Sequence, residues 1–220
     1  MPTGKDGELG RERRFRTDTA PSGLGQQMRK KASSTKLSHG VLLLAVALLG
    51  GCAKSADNEL IDGAAAGDLP KVQAALASKA DLNAKSDSDV TALAVASGNC
   101  RLAVVRTLIA AGADVNAKSS DGVTALILAS AGCPEAVDVL IGAGADANAN
   151  SAQLGTPLHM AAMRGQVRTA QALLDAGANV NAQYAGYTPL KVAQPTEHPL
   201  TSIEKLNEVA ELLRQHGGHE

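Results

Sequence analysis

The sequence predicts an all-α solenoid of about five helix-turn-helix units, each with a projecting β-turn at its tip. Asparagine recurs at intervals of 33, 32 and 33 residues, and threonine recurs at intervals of 33, 32 and 32. The two series are Asn83, Asn116, Asn148, Asn181 and Thr91, Thr124, Thr156, Thr188. A period of this length is typical of proteins in which each unit buries its apolar face against its neighbours. Hydrophobic residues make up 45% of the chain and aromatic residues 1%, so Ala, Leu, Val and Ile must fill the core.

Each unit contains signals for the beginning and end of its two helices. The repeated threonines suit N-cap positions, and Pro157 and Pro189 follow two of them at the first helical position, where a missing N–H costs nothing. Small residues such as Ala161 and Ala162 then allow neighbouring first helices to approach closely. The second helices supply larger apolar side chains at helical spacing. The glycines predicted to end these second helices in the left-handed conformation are Gly112, Gly144 and Gly177.

One sequence motif indicates the kind of repeat. Residues 156–162, Thr-Pro-Leu-His-Met-Ala-Ala, followed by Gly165, closely resemble the ankyrin repeat. The resemblance covers about residues 59–218 and implies an ankyrin-repeat solenoid of stacked helix pairs with β-turn tips. The repeat domain is predicted over 59–220, and its units are predicted at 59–85, 86–118, 119–150, 151–183 and 184–220.

Three units depart from the common pattern. The first lacks the Thr-Pro-Leu-His phrase and has Lys79 where the others have Gly, as expected for a polar end cap. The third is one residue short after Cys133, which predicts a tighter turn between its helices. The fifth has an insertion around residues 194–202 that contains Pro195 and Pro199, so its first helix is expected to end early and a loop to follow.

Residues 1–51 are predicted to be a targeting segment. A basic stretch begins at Met28, an apolar run covers residues 41–49, and two glycines precede Cys52, which is the order found in secretion signals. The apolar run is about half of the roughly 20 residues that a membrane-spanning helix requires, so a permanent span is the less favoured alternative. Residues 1–27 show no apolar periodicity. We expect translation to start at Met28, and otherwise expect this segment to be a disordered extension.

Leu49-Gly50-Gly51-Cys52 resembles the lipobox of bacterial lipoproteins. The resemblance implies that Cys52 is acylated on sulfur, that the preceding peptide is removed, and that the new amino terminus is acylated too. Ala53 stands where an Asp would favour inner-membrane retention, which implies an outer-membrane anchor facing the periplasm. Residues 52–58 would form the lipidated Cys and a polar tether, and the acyl chains would hold the protein permanently. The alternative is an ordinary signal peptide with a Cys there by chance.

No catalytic residue, cofactor or metal site is predicted. No Ser, Cys or carboxylate lies at a sequence spacing from His159 that would indicate a general base. The ankyrin resemblance implies instead that the His159 ring forms hydrogen bonds with backbone groups of a neighbouring repeat. His216 and His219 are separated by two glycines, and two ligands do not make a zinc site without further help. The glycine-containing segments lack the Gly-Lys-Ser/Thr ending and the G-x-G-x-x-G spacing that phosphate-binding loops have. Residues after Cys52 carry a net charge of −6, which together with the scarcity of aromatic residues argues against nucleic-acid binding.

Cys100 and Cys133 are candidates for a disulfide between adjacent units. Each lies nine residues after the threonine of its unit, so stacking places them at equivalent turns. Adjacent units should lie about 10 Å apart, whereas the Cα atoms of a disulfide lie within about 7 Å, so the shortened third unit would have to close the gap. Lipidation of Cys52 would leave an even number of cysteines, and an oxidising periplasm permits the bond. The alternative is a pair of small buried thiols.

The ankyrin resemblance implies a protein partner, held by the turn tips and the exposed ends of the first helices on the concave side. The candidate contact residues are Asp87, Ser120, Asp121, Gln153, Met163, Arg164, Tyr184 and Tyr187. The last four form the predicted hot spot, since Tyr and Arg often anchor interfaces. The alternative for Tyr187 is that it covers the joint between the fourth and fifth units.

Two functions are compatible with these features. The first is a monomeric, lipid-anchored interaction module that acts as a scaffold or assembly factor in the periplasm and contacts the membrane only through Cys52. The second is an inhibitor or immunity protein that neutralises a toxic effector enzyme in the periplasm. An enzyme is the third and least favoured class, and His159 is the residue whose mutation would test it. The fold does not decide among these functions, because repeat arrays bind whatever their surface fits.

Overall fold

A computed structural model describes residues 55–194 and 202–220. The helices in these ranges form five consecutive pairs, as an all-α solenoid of five units requires. They are α1 Ala56–Ala66, α2 Leu69–Ala77, α3 Ala92–Gly98, α4 Leu102–Ala110, α5 Ala125–Ala129, α6 Pro134–Gly142, α7 Pro157–Met163, α8 Val167–Asp175, α9 Pro189–Val192 and α10 Ile203–Gln215. The predicted fold class is confirmed. The predicted targeting segment, Cys52 and residues 195–201 of the predicted insertion lie outside the described residues.

The threonines, prolines and glycines predicted to begin and end the helices take the predicted positions. The Thr91, Thr124, Thr156 and Thr188 hydroxyls each accept a hydrogen bond from the backbone N–H three residues later. Pro157 and Pro189 lie in the first turn of their helices. The three glycines after the second helices have φ angles of 93°, 86° and 82°, and Lys79 takes the same left-handed conformation at 59° in the first unit.

The beginning of the first helix corrects one predicted boundary. The Ser55 hydroxyl accepts a hydrogen bond from the N–H of Asn58 at 3.3 Å, so α1 begins at Ala56. The tether predicted over 52–58 is therefore wrong in its last three residues. The short stretch from Ala53 to Ser55 is what remains between Cys52 and the first helix.

The third unit is short in a different place from the one predicted. Four residues, 130–133, separate α5 from α6, whereas three separate the helices of the second and fourth units. The prediction of a tighter turn in the third unit is therefore wrong. The missing residue instead shortens α5 to five residues. The second and fourth units place Cys100 and Gly165 at positive φ before the second helix, and no residue of 130–133 does so. The deletion thus removes the left-handed residue and leaves Cys133 as the N-cap of α6.

The helices form two layers with different side chains. In the first-helix layer many buried positions hold small residues, for example Ala92, Ala96, Ala125, Ala129, Ala161 and Ala162. In the second-helix layer, Leu108, Leu140 and Leu173 occupy equivalent positions and are 0% exposed. Short side chains let the first helices lie closer together than the second helices, which favours a concave face on the first-helix side. Within the described ranges no helix has the length and apolar character needed to cross a membrane.

The repeated asparagines connect neighbouring units. The side-chain oxygen of Asn116 accepts a hydrogen bond from the N–H of Asp146 at 2.8 Å, and its amide donates to the carbonyl of Gly144 at 3.1 Å. Asn148 makes the equivalent bonds to Asn179 and Gly177, at 2.7 and 3.0 Å. These side chains satisfy backbone groups that the second helices leave unpaired at their ends. The sequence showed the asparagine period without showing this role.

Candidate functional site

The tip-and-first-helix face comprises the turn tips and the exposed ends of the first helices in the second to fifth units. Its tips are joined in a row. The carboxylate of Asp89 accepts a hydrogen bond from the Ser120 N–H, and the carbonyl of Asp121 accepts one from the Ala152 N–H at 2.8 Å. The Gln153 side chain donates to the Asp121 carboxylate at 2.6 Å. Ser120, Asp121 and Gln153 are thus exposed contact candidates that also hold neighbouring tips together, while Asp87 is exposed on the second tip.

Asp89 is a member of this row that the sequence did not single out. Hydrogen bonds from Ser120, through its side chain and its backbone N–H, lower the pKa of Asp89 to about 2, and the nearby Lys85 ammonium, 3.1 Å away, acts in the same direction. The carboxylate therefore stays ionised at any pH near neutrality. Its position beside the second tip and its contact with the third unit are visible only after the units have stacked.

Tyr184 lies in the joint between the fourth and fifth units. Its ring is 5.7 Å from the His159 ring in an edge-on arrangement, and its hydroxyl donates to the carbonyl of Gln153. The ring also lies against Gly155, where an added Cβ would come within 2.8 Å of the tyrosine ring. Gly155 has a φ of 70°, so both its conformation and this close approach favour glycine. The side chain that covers the joint between the fourth and fifth units is therefore Tyr184, and not Tyr187 as the sequence-based alternative had it.

Tyr187 and Met163 are exposed on the tip-and-first-helix face. The Tyr187 side chain is 52% exposed and the Met163 side chain 37%, and both rank among the exposed large hydrophobic residues of the described chain. Arg164 is also exposed, and it forms no ion pair within residues 55–194 and 202–220. Met163 ends α7, seven residues after Thr156, so it lies about 10 Å along the helix from the tip. The predicted hot spot is thus an elongated strip in which Tyr187 occupies the tip end.

Ile203 is exposed on a different part of the molecule. It begins α10, is 53% exposed, and lines a groove of about 820 Å³ beside Val167, Glu204, Glu208 and Leu212. This groove lies between the second helices α8 and α10, outside the tip-and-first-helix face. Ile203 therefore offers a matched control for substitutions at Tyr187 and Met163.

His159 has the structural role that the ankyrin resemblance implies. One ring nitrogen, Nδ1, lies 2.8 Å from the Thr156 hydroxyl, and the other, Nε2, lies 3.0 Å from the carbonyl of Tyr187 in the next unit. The predicted bond to a neighbouring repeat is confirmed. A neutral ring with its proton on Nε2 satisfies both partners. Burial lowers the pKa of His159 below its ordinary value of 6.5, while the bond to Tyr187 acts in the opposite direction.

We expect His159 to make stability depend on pH. Because its folded-state pKa is lowered, the unfolded chain binds more protons between that pKa and 6.5, and the free energy of unfolding falls as the pH falls through this window. Urea unfolding at pH 7.5 and 5.5 should therefore show a larger loss for the wild type than for His159→Gln, which does not titrate. An equal loss in both proteins would assign the pH dependence to other groups.

Cys100 and Cys133 are brought together between the second and third units. They form a disulfide with Cα atoms 5.5 Å apart, well below the spacing of about 10 Å expected from helix packing. Two features shorten the distance: the closely packed first helices, and the missing left-handed residue that makes Cys133 the N-cap of α6. Cys100 is exposed and Cys133 is 2% exposed. The alternative of two buried thiols does not describe this pair.

The same cysteines belong to a group of three potential metal ligands. A carboxylate oxygen of Glu135 and the two sulfur atoms lie within 4.8 Å of one another. In the disulfide the sulfurs are bonded to each other, and Glu135 pairs with Arg168 at 3.1 Å. His216 and His219 do not belong to that group: His216 Nδ1 lies 2.9 Å from the carbonyl of Leu212, and the backbone N–H of His219 donates to the side-chain oxygen of Asn181. We therefore assign no metal to either group.

Comparisons with known proteins agree with this geometry. A family profile described as ankyrin repeats, three copies, matches residues 60–151 and 132–218. The chain is similar to human Rabankyrin-5, with 57% identity over 44 residues, and to mouse Rabankyrin-5 with the same identity over the same length. These segments cover 20% of this chain and 4% of each relative, so the likeness concerns a small part of a much longer protein.

Proposed function

Because the chain belongs to the ankyrin-repeat family, whose repeats generally mediate protein–protein interaction, we propose that it is a lipid-anchored periplasmic module that binds one protein partner. The partner occupies the tip-and-first-helix face. The module acts as a scaffold or assembly factor that holds this partner at the membrane surface.

The exposure of Tyr187 and Met163 carries this proposal. Water-exposed large apolar side chains are unfavourable, and here two of them lie on neighbouring units of the same face. Arg164, which follows Met163, is exposed and forms no ion pair with any residue that the structure describes. Tyr, Met and Arg are enriched in the buried centres of protein interfaces. A partner with an apolar surface and a carboxylate would cover the two side chains and pair with the guanidinium.

Location at the membrane is proposed from the lipobox-like segment that ends at Cys52. The repeat array begins close to that residue, because α1 begins at Ala56. Three extended residues between Cys52 and the helix span roughly 10 Å, so an acylated Cys52 would keep the first unit beside the lipid headgroups. A disulfide between Cys100 and Cys133 is compatible with an oxidising compartment.

The test is co-purification of the partner from the native envelope. The affinity tag should be inserted after Lys54, because the C-terminal residues pack on the fifth unit: the carbonyl of His219 accepts from Thr188 at 2.9 Å, and Glu220 pairs with Lys191 at 3.4 Å. Treatment with lysozyme, fractionation and detergent extraction would also report whether the protein is in the membrane fraction and whether Cys52→Ser releases it.

We expect Tyr187→Ser combined with Met163→Ser to weaken binding of the partner at least about tenfold, since truncated hot-spot residues commonly cost 2 kcal/mol or more. Ile203→Ser, an equally exposed residue outside the face, should leave the affinity unchanged. Circular dichroism must show that all variants are folded. Unchanged binding in the double variant would contradict the proposed surface, and the absence of any stoichiometric partner would contradict the interaction role itself. A partner that proves to be a toxic hydrolase would favour the inhibitor or immunity role over the scaffold.

A further inference from the structure

We propose that the Cys100–Cys133 disulfide is a thiol–disulfide exchange site, opened by a dithiol reductant that attacks Cys100. The site is separate from the tip-and-first-helix face, since both cysteines lie in the turns between the two helices of their units. The disulfide is a covalent cross-link between the second and third units, in addition to the backbone. Its opening changes how firmly these units are coupled.

The two cysteines differ in their exposure. Cys100 is exposed and has a φ of 56°, in the turn that precedes α4. Cys133 is 2% exposed and belongs to the buried core. A thiolate must approach the sulfur that it attacks in line with the S–S bond, so the attack falls on Cys100 and Cys133 is the leaving group. This asymmetry follows from the deletion in the third unit, because it moves Cys133 from a turn position to the N-cap.

The surroundings of Cys133 suit a leaving thiolate. Cys133 is the N-cap of α6, a helix of nine residues, and its side chain accepts no capping hydrogen bond there. Pro134 has no N–H, and the N–H groups of Ala136 and Val137 bond the Cys133 carbonyl, so it is the positive end of the helix dipole that stabilises a thiolate at this position. The neighbouring Glu135 carboxylate would oppose a second negative charge, but Arg168 pairs with it at 3.1 Å and with Asp138 at 2.7 Å. Arg168 comes from the fourth unit, so the stacked array supplies the compensating charge.

The exchange proceeds in two displacements. A thiolate of the dithiol attacks Cys100 Sγ, the Cys100–Cys133 bond breaks, and its electron pair leaves on Cys133 Sγ, which then takes up a proton. The second thiol of the reductant then loses its proton and attacks the other reductant sulfur, which is bonded to Cys100 in the mixed disulfide. This step releases Cys100 as a thiolate. The reductant becomes a disulfide, and the protein gains two electrons and two protons as two thiols. A small dithiol protein with a Cys-x-x-Cys motif is the class of physiological partner that this chemistry fits.

The test traps the mixed disulfide. The full chain with Cys52→Ser, which removes the third thiol, is oxidised and treated with reduced glutathione; acid quenching and peptide mapping then locate the adduct. We expect glutathione on Cys100. Separately, Cys133→Ser should expose Cys100 to a thiol reagent, and Cys100→Ser should leave Cys133 protected, with rates that differ on the order of 100-fold because Cys133 reacts only through local opening. Adducts on Cys133, or equal rates in the two variants, would overturn the proposal.

Charge variants test the leaving-group argument without touching either sulfur. Glu135→Gln should speed reduction of the oxidised chain by dithiothreitol, and Arg168→Ala should slow it, because the first removes and the second uncovers a negative charge beside Cys133. Both substitutions lie at exposed positions, and circular dichroism should show both variants folded. If reduction requires denaturant, or if the two variants change the rate in the same direction, the exchange site is wrong and the disulfide opens only by unfolding.

Discussion

Reduction of the Cys100–Cys133 disulfide is expected to lower the free energy of unfolding of the repeat array by about 4 kcal/mol. The bridge joins residues 33 apart, so it closes a long loop in the unfolded chain and restricts the conformations that this chain explores. The entropic account gives about 3 kcal/mol for a loop of 15 residues and about 4.7 kcal/mol for one of 100. Urea unfolding followed by circular dichroism, with and without a dithiol reductant, measures the difference.

The double variant Cys100→Ala with Cys133→Ala is the control for this measurement. It should unfold at the same urea concentration with and without reductant, and close to the midpoint of the reduced wild type. A wild type whose midpoint is insensitive to reductant, although mass spectrometry shows both thiols free, would mean that the bridge does not constrain the unfolded chain. An alkylation assay on the untreated protein would show directly whether the two sulfurs are bonded.

Leu173→Ala is expected to lower the free energy of unfolding by about 2 to 5 kcal/mol. Leu173 is 0% exposed in the second-helix layer, where it belongs to the central apolar cluster. Truncation removes apolar contacts and leaves a cavity that the rigid stack fills incompletely. The fourth unit cannot fold without burying this face against its neighbours, so the damage spreads to the joints on both sides.

Leu174→Ala provides the matched control, because it makes the same chemical change at the next residue of the same helix. Leu174 is only partly buried, so its truncation should cost roughly 1 kcal/mol, in proportion to the smaller apolar area it removes from water. Urea or thermal unfolding of the two variants with the disulfide intact gives the comparison. Equal losses at the two positions would contradict the assignment of Leu173, and not Leu174, to the core face.

Local features of this fold could be predicted from the sequence because each depends on only a few neighbouring residues. Thr156 caps α7 through an N–H three residues away, and Gly144 adopts φ 86° because the end of α6 requires a left-handed residue. The same reasoning failed in the third unit. A missing residue can be absorbed by a turn or by a helix, and in this chain α5 became shorter while the turn kept its length.

The candidate site was predicted less well, for a reason that Tyr184 and Tyr187 illustrate. The two tyrosines are three residues apart and chemically identical, yet one covers Gly155 and His159 while the other is 52% exposed. Their exposure depends on which of them meets the fourth unit across the joint. Asp89 is a further example, since its carboxylate acquires a lowered pKa from Ser120 only when the second and third tips lie side by side.

The sequence by itself determined the repeat period, the helix caps, the left-handed glycines and the number of units, because these follow from local backbone hydrogen bonding and from apolar periodicity. Only the tertiary structure decided which side chains meet between units. The 5.5 Å separation of Cys100 and Cys133 depends on how closely two units stack, and so does the packing of Tyr184 against Gly155. Stacking distance is set by the summed packing of many side chains from both units, and no short segment of the sequence contains that sum.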